Sequence, residues 1–217
     1  MEFAIVFPLL VLVILGTVEA ALLMVDYTAG TAATTKGARI AVVIDPVATA
    51  AQFAFSSYTT MPGQSGSYCA DSSGGASTAS SCPAINITCT GDTSAAGGTC
   101  TANSGFNKTS FDAIFNAIQT LYIGRKLDRR QVQVSYSTTN LGFVGQQSFD
   151  GSNGELPMNV TVQLRCMTHQ LFFIAGLVRW TFANLAAGCS GITLGASKGI
   201  VMPPFSTTLP SEDLKTN

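Results

Sequence analysis

Apolar residues follow three rhythms along this chain. Residues 3–25 read FAIVFPLLVLVILGTVEAALLMV, a continuous apolar run carrying one charge, Glu19. As a helix it covers about 35 Å, enough to cross a hydrocarbon core of about 30 Å. Pro8 lies a little over one turn in, where it removes one backbone bond and invites a kink. Beyond the run the spacing turns amphipathic: Ala29, Ala32, Ala33, Ile40, Val43, Ile44 and Val47 recur at intervals of three, four and seven. One long helix is therefore predicted to leave the membrane and end near Ile44. Asp45 and Pro46 then suit the cap and first position of a short helix through about Phe55.

A second helical period covers residues 110–123, with Phe111, Ile114, Phe115, Ile118, Leu121 and Tyr122 on one side, Ser110 as cap and Gly124 as stop. Strict alternation over residues 131–136 and 159–166 predicts two half-buried strands. A third strand is expected over residues 192–202, stopped by Pro203 and Pro204. The apolar stretch 171–178 is too short to span a bilayer and reads as a buried helix or loop. Helices followed by a small antiparallel sheet give an α+β class, with the two helices covering one sheet face. The expected organisation is a transmembrane helix over 1–25, an amphipathic extension over 26–55, a Ser/Gly/Thr-rich cysteine-containing loop over 56–105 and an α+β globular domain over 106–217.

Composition sharpens this picture. Only 11% of the 217 residues are charged against 47% hydrophobic, and 11 basic residues face 12 acidic ones, a net charge of -1. No basic field exists to condense on nucleic acid, so nucleic-acid binding is not expected. Six cysteines, Cys69, Cys82, Cys89, Cys100, Cys166 and Cys189, contain no C-x-x-C pair, and His169 is the sole histidine. Zinc is disfavoured, and three disulfides formed in an oxidising compartment are the expected chemistry. Six cysteines allow 15 pairings. Proximity suggests Cys166 with Cys189, and Cys82 with Cys89 nested inside Cys69 with Cys100.

Catalytic constellations are absent from the pattern. Gly188, Cys189, Ser190 and Gly191 superficially resemble a nucleophile turn, but His169 is the only histidine base and Cys189 is more simply a disulfide partner. His169 itself reads as a polar residue near a strand end. The segment from Gly191 to Lys198 lacks G-K-[ST], and the scattered acidic residues form neither a calcium loop nor an acid/base pair. No cofactor and no enzymatic activity are expected. Lys126, Arg129 and Arg130 form a short basic cluster after the second helix, read as a solvated face.

The start of the chain resembles a known family. Glu2, Phe3, Pro8, the Leu-rich run that follows, Gly16 and Glu19 are similar to the opening of TadE-like proteins, pseudopilins of tight-adherence (Tad) pilus systems. The likeness is clear over roughly the first 45 residues. It implies a pilin-like structural subunit whose helix sits in the inner membrane and packs with other pilus subunits in a homo- or hetero-oligomer. The C-terminal domain would lie outside the cytoplasm or be carried into an extracellular pilus. By the same resemblance Glu2, Phe3, Pro8 and Glu19 are the assembly residues. In that family a prepilin peptidase cuts just before the acidic residue, whereas here Met1 directly precedes Glu2. Two other readings compete: a cleaved signal peptide, with a small-residue site near Ala20, and an envelope adhesin or ligand-binding domain that uses the helix only as an anchor.

Overall fold

A computed structural model describes residues 3–49, 86–93, 97–101, 104–122, 127–138, 158–170, 189 and 199–211. The chain is α+β, a long apolar helix and a shorter one laid on a small antiparallel sheet. Helix α1 runs Phe3–Ala41. Its first half is exposed: Val6, Phe7, Leu9, Leu10, Leu12, Val13 and Ile14 all face outward. Its second half is buried on one side through Ala33, Thr34, Ala38 and Ala41. Threonines in this half return their hydroxyls to the helix's own carbonyls, as Thr31 does to Thr28 and Thr35 does to Thr31. Those side chains are thereby satisfied without water.

After α1 the chain does not form the short helix expected from Asp45 and Pro46. It extends into β1, Ala48–Thr49, which pairs with β4, Gly105–Phe106. Val47 and Ala48 are fully packed, so burial overrides the local capping signal. The remainder of the expected helix lies outside the described residues.

The main sheet has five antiparallel strands in the order β3-β2-β5-β6-β9. These are β2 (Asn86–Gly91), β3 (Gly98–Cys100), β5 (Val132–Thr138), β6 (Met158–Leu164) and β9 (Phe205–Ser211). Strands β5 and β6 match the alternation read from the sequence. Rows of inward residues cross the sheet in register, Ile87, Tyr136, Val160 and Leu209 in one and Cys89, Val134, Val162 and Thr207 in the next. The other face carries Thr88, Ser135, Thr161 and Thr208, short polar groups suited to a half-exposed pleat.

Two corrections follow. Part of the segment expected to be a stapled loop supplies β2 and β3, whose inward positions are Ile87, Cys89 and Gly91. The last strand of the main sheet begins after Pro203 and Pro204. Of the expected 192–202 strand, Gly199–Val201 is extended and residues 192–198 lie outside the described residues; this β8 pairs with β7, Thr168–Gln170, in a separate ribbon. Strand β9 tolerates Pro210 because it is an edge strand.

Helix α2 spans Lys108–Leu121. Its cap is Asn107, whose side-chain oxygen accepts from the N–H groups of Thr109 and Ser110; Ser110 itself lies buried in the first turn. Phe111, Ile114 and Ile118 are fully buried, as the periodicity requires, whereas Leu121 is exposed. The two helices meet at Gly37, where a Cβ would stand 2.9 Å from Ile118 Cδ1 and 3.3 Å from Val162 Cγ1. Gly30 allows the same close approach to Phe205, whose ring lies 2.7 Å from the position a Cβ would take.

Tyr136 locks the end of α1 to the sheet. Its phenolic oxygen accepts from the buried Val47 N–H at 2.9 Å, and burial pushes its ionisation above the ordinary tyrosine range. Replacing Tyr136→Phe strands that N–H and should cost about 1–3 kcal/mol in a denaturant titration. The unfolded phenol ionises near pH ~10 while the folded one resists. Stability is thus full below that pH and falls as pH rises above it, an alkaline loss that Tyr136→Phe should reduce.

Candidate functional site

Glu19 and Asp26 lie seven residues apart on α1, two turns along the same face and about 10 Å apart on the axis. Between them sits His169 of β7. Its Nδ1 is 2.6 Å from Asp26 Oδ2 and its Nε2 is 3.5 Å from Glu19 Oε1. His169 and Glu19 are 1% and 3% exposed, so this is an ionisable cluster withdrawn from water at the height where the apolar run ends.

The short contact to a carboxylate makes Nδ1 the donor of its hydrogen bond to Asp26. Nε2 makes no hydrogen bond and points at the nearer Glu19 oxygen across an ion-pair distance. The ring therefore bridges two turns of one helix. Three devices deliver it. Cys166 turns the chain out of β6 in a left-handed conformation, φ 58°, and is bonded to Cys189. Met202 N–H donates to Met167 O at 2.7 Å. The register of β7 with β8, Thr168 opposite Val201 and His169 opposite Ile200, fixes which residue reaches the helix.

Each residue singled out from sequence has a place. Glu2 lies outside the described residues. Phe3 opens α1, and Pro8 is exposed within it. Glu19 is buried against His169. Asp26 and His169 were not expected to meet Glu19; the partners are 143 residues apart, beyond the reach of any local pattern. The disulfide Cys166–Cys189 forms as expected, but Cys89 pairs with Cys100 and not with Cys82. Cys89 and Cys100 face each other across β2 and β3, so strand register decides the pairing. Cys69 and Cys82 lie outside the described residues. Cys189, being bonded, offers no thiolate nucleophile.

A second ionic cluster ties α2 to the sheet. Asp112 faces Lys108 and Arg129, the latter at 2.5 Å. Burial raises its carboxyl, but the hydrogen bonds and charges of both cations outweigh this and hold it below the ordinary aspartate range. Arg129 also stacks over Phe111 and Phe115, 5.0 and 5.5 Å from the ring centres. Arg130 grips Asp128, which in turn caps the 3-10 turn Arg129–Gln131. Both carboxyls titrate low, so their stabilisation is present above the unfolded aspartate range and lost as pH falls through it. The basic pair is structural, and Lys126 lies outside the described residues. Among the described residues no three His, Cys, Asp or Glu side chains are arranged to hold a metal.

The geometry thus joins an apolar helix to an oxidised domain through one buried ion cluster. Residues 1–39 match the family model described as TadE-like protein. That likeness covers the N-terminal helix, 39 of the 217 residues. The match ends two residues before α1 does and includes both Glu19 and Asp26, while His169 lies beyond it. No curated protein and no solved structure matches the chain. The TadE-like helix is long and apolar enough to cross a membrane, and its apolar window is almost wholly unburied.

Proposed function

We propose that the chain is a pilin-like structural subunit, a pseudopilin or minor pilin, acting in the assembly or composition of a Tad-type pilus. The observation that carries this reading is the exposed apolar half of a helix whose sequence is TadE-like. Side chains from Val6 to Ile14 have no partner surface of their own among the described residues, and a bilayer or a neighbouring subunit's helix covers such a stripe equally well. The helix holds the chain in the inner membrane, with the disulfide-bonded domain outside the cytoplasm, and packs with other pilus subunits. Glu2, Phe3 and Pro8 act at the inter-subunit end of that helix. Glu19 acts where the helix enters the domain. The work is assembly and not turnover.

Sheared surface filaments from the native cell, analysed by intact mass, test this. The chain should be found in the filaments or be needed for their formation. Glu2→Ala should remove the fibres while the protein is still made and inserted. Fibres of normal number in a strain lacking the chain, together with its absence from the sheared filaments of the parent strain, would sink the reading and leave an anchored adhesin in its place.

A further inference from the structure

We infer that Arg165 contacts anionic phospholipid headgroups, a second, electrostatic attachment of the domain to the membrane; the inference rests on α1 spanning the bilayer. The position of Arg165 is bracketed by its chain neighbours. Leu164 pairs with Phe205, whose ring packs at Gly30 and lies 5.3 Å from that of Tyr27. Four residues after Arg165, His169 reaches Asp26 and Glu19. Arg165 thus lies between the levels of helix residues 19 and 30.

The apolar run meets its first charges at Glu19 and Asp26, which bracket the edge of the hydrocarbon core. Gly30 is about 6 Å beyond Asp26 along the axis, at headgroup height and within reach of an arginine side chain. The cations around Arg165 are already matched, Arg129 by Asp112 and Arg130 by Asp128. Arg165 has no carboxylate partner among the described residues. Its Nε donates to Arg130 O at 3.3 Å and its backbone N–H to Gln131 O at 2.8 Å, which fixes the stem and leaves the terminal guanidinium nitrogens for an outside acceptor. A phosphate oxygen is the acceptor that such a fork suits, and the membrane supplies it at this height.

The test uses the full chain in nanodiscs of phosphatidylcholine alone or with phosphatidylglycerol, read by hydrogen exchange over residues 164–168. Exchange should be about fivefold slower in the anionic discs, as expected for one cation at a charged surface. The difference should vanish in about 0.5 M salt, where screening is short-ranged. Arg165→Gln should abolish it, while Arg165→Lys, which keeps the charge and loses the Nε bond, should retain it. Normal exchange in β5 and an intact Cys166–Cys189 bond certify the fold of each variant. Equal exchange in both lipids, or a lipid effect unchanged in Arg165→Gln, overturns the inference. A chain that does not enter the discs refutes the spanning helix instead.

Discussion

His169→Ala should lower the stability of the domain by about 3 kcal/mol, the lower part of the range for removing a large buried ring, here one that also hydrogen-bonds Asp26. The ring separates two carboxylates that share one face of α1, and its removal leaves Glu19, 3% exposed, beside an empty volume. Both carboxylates keep other contacts, which is why the upper part of the range is not expected. Denaturant titration of the full chain in detergent measures the loss. The cluster also predicts strong coupling: Glu19→Gln in the His169→Ala background should cost much less than in the parent, by about 1–3 kcal/mol. Additive losses would mean that the 3.5 Å contact carries no energy. The damage should concentrate where the ribbon meets the helix, so exchange should quicken in β7 and β8 well before β5 and β6 respond.

The second large effect belongs to Cys89–Cys100. This bond closes 11 residues of chain and joins directly opposed positions of β2 and β3. Loop-closure entropy for a ring of that size gives about 3 kcal/mol. Replacing both cysteines with alanine should remove that amount and lower the denaturant midpoint. Reductant added to the parent should have an effect at least as large, since it opens Cys166–Cys189 as well. Cys89 is fully buried beside Val134, so serine at this position should do worse than alanine by adding an unpaired hydroxyl to the core. A double-alanine chain as stable as the parent would show that β3 is held by its ladder alone.

What the sequence announced depended on how local the signal was. The long helix, the Phe111 face and the alternation of Val132, Val134 and Tyr136 are periodic patterns within one element, and the structure keeps them. Strand β2 follows the same rule, but its inward residues are Ile87, Cys89 and Gly91, and one large apolar group in three is too little to stand out in a Ser/Thr/Gly background. Prolines 203 and 204 looked like an end and proved to be the corner before the edge strand. Asp45 and Ser110 were plausible caps; tertiary burial overruled the first, and Asn107, three residues earlier, took the place of the second. The Glu19, Asp26 and His169 cluster had no local signature, because its geometry exists only after β7 has been turned against α1.

The two margins of the main sheet bear on crowding. One is β3, only three residues long, and the other is β9, in which Pro210 has no N–H to offer. Among the described residues neither presents the long, flat row of free donors on which a foreign strand could grow. A second copy brought against either margin therefore finds little on which to extend the sheet, and close packing need not end in aggregation.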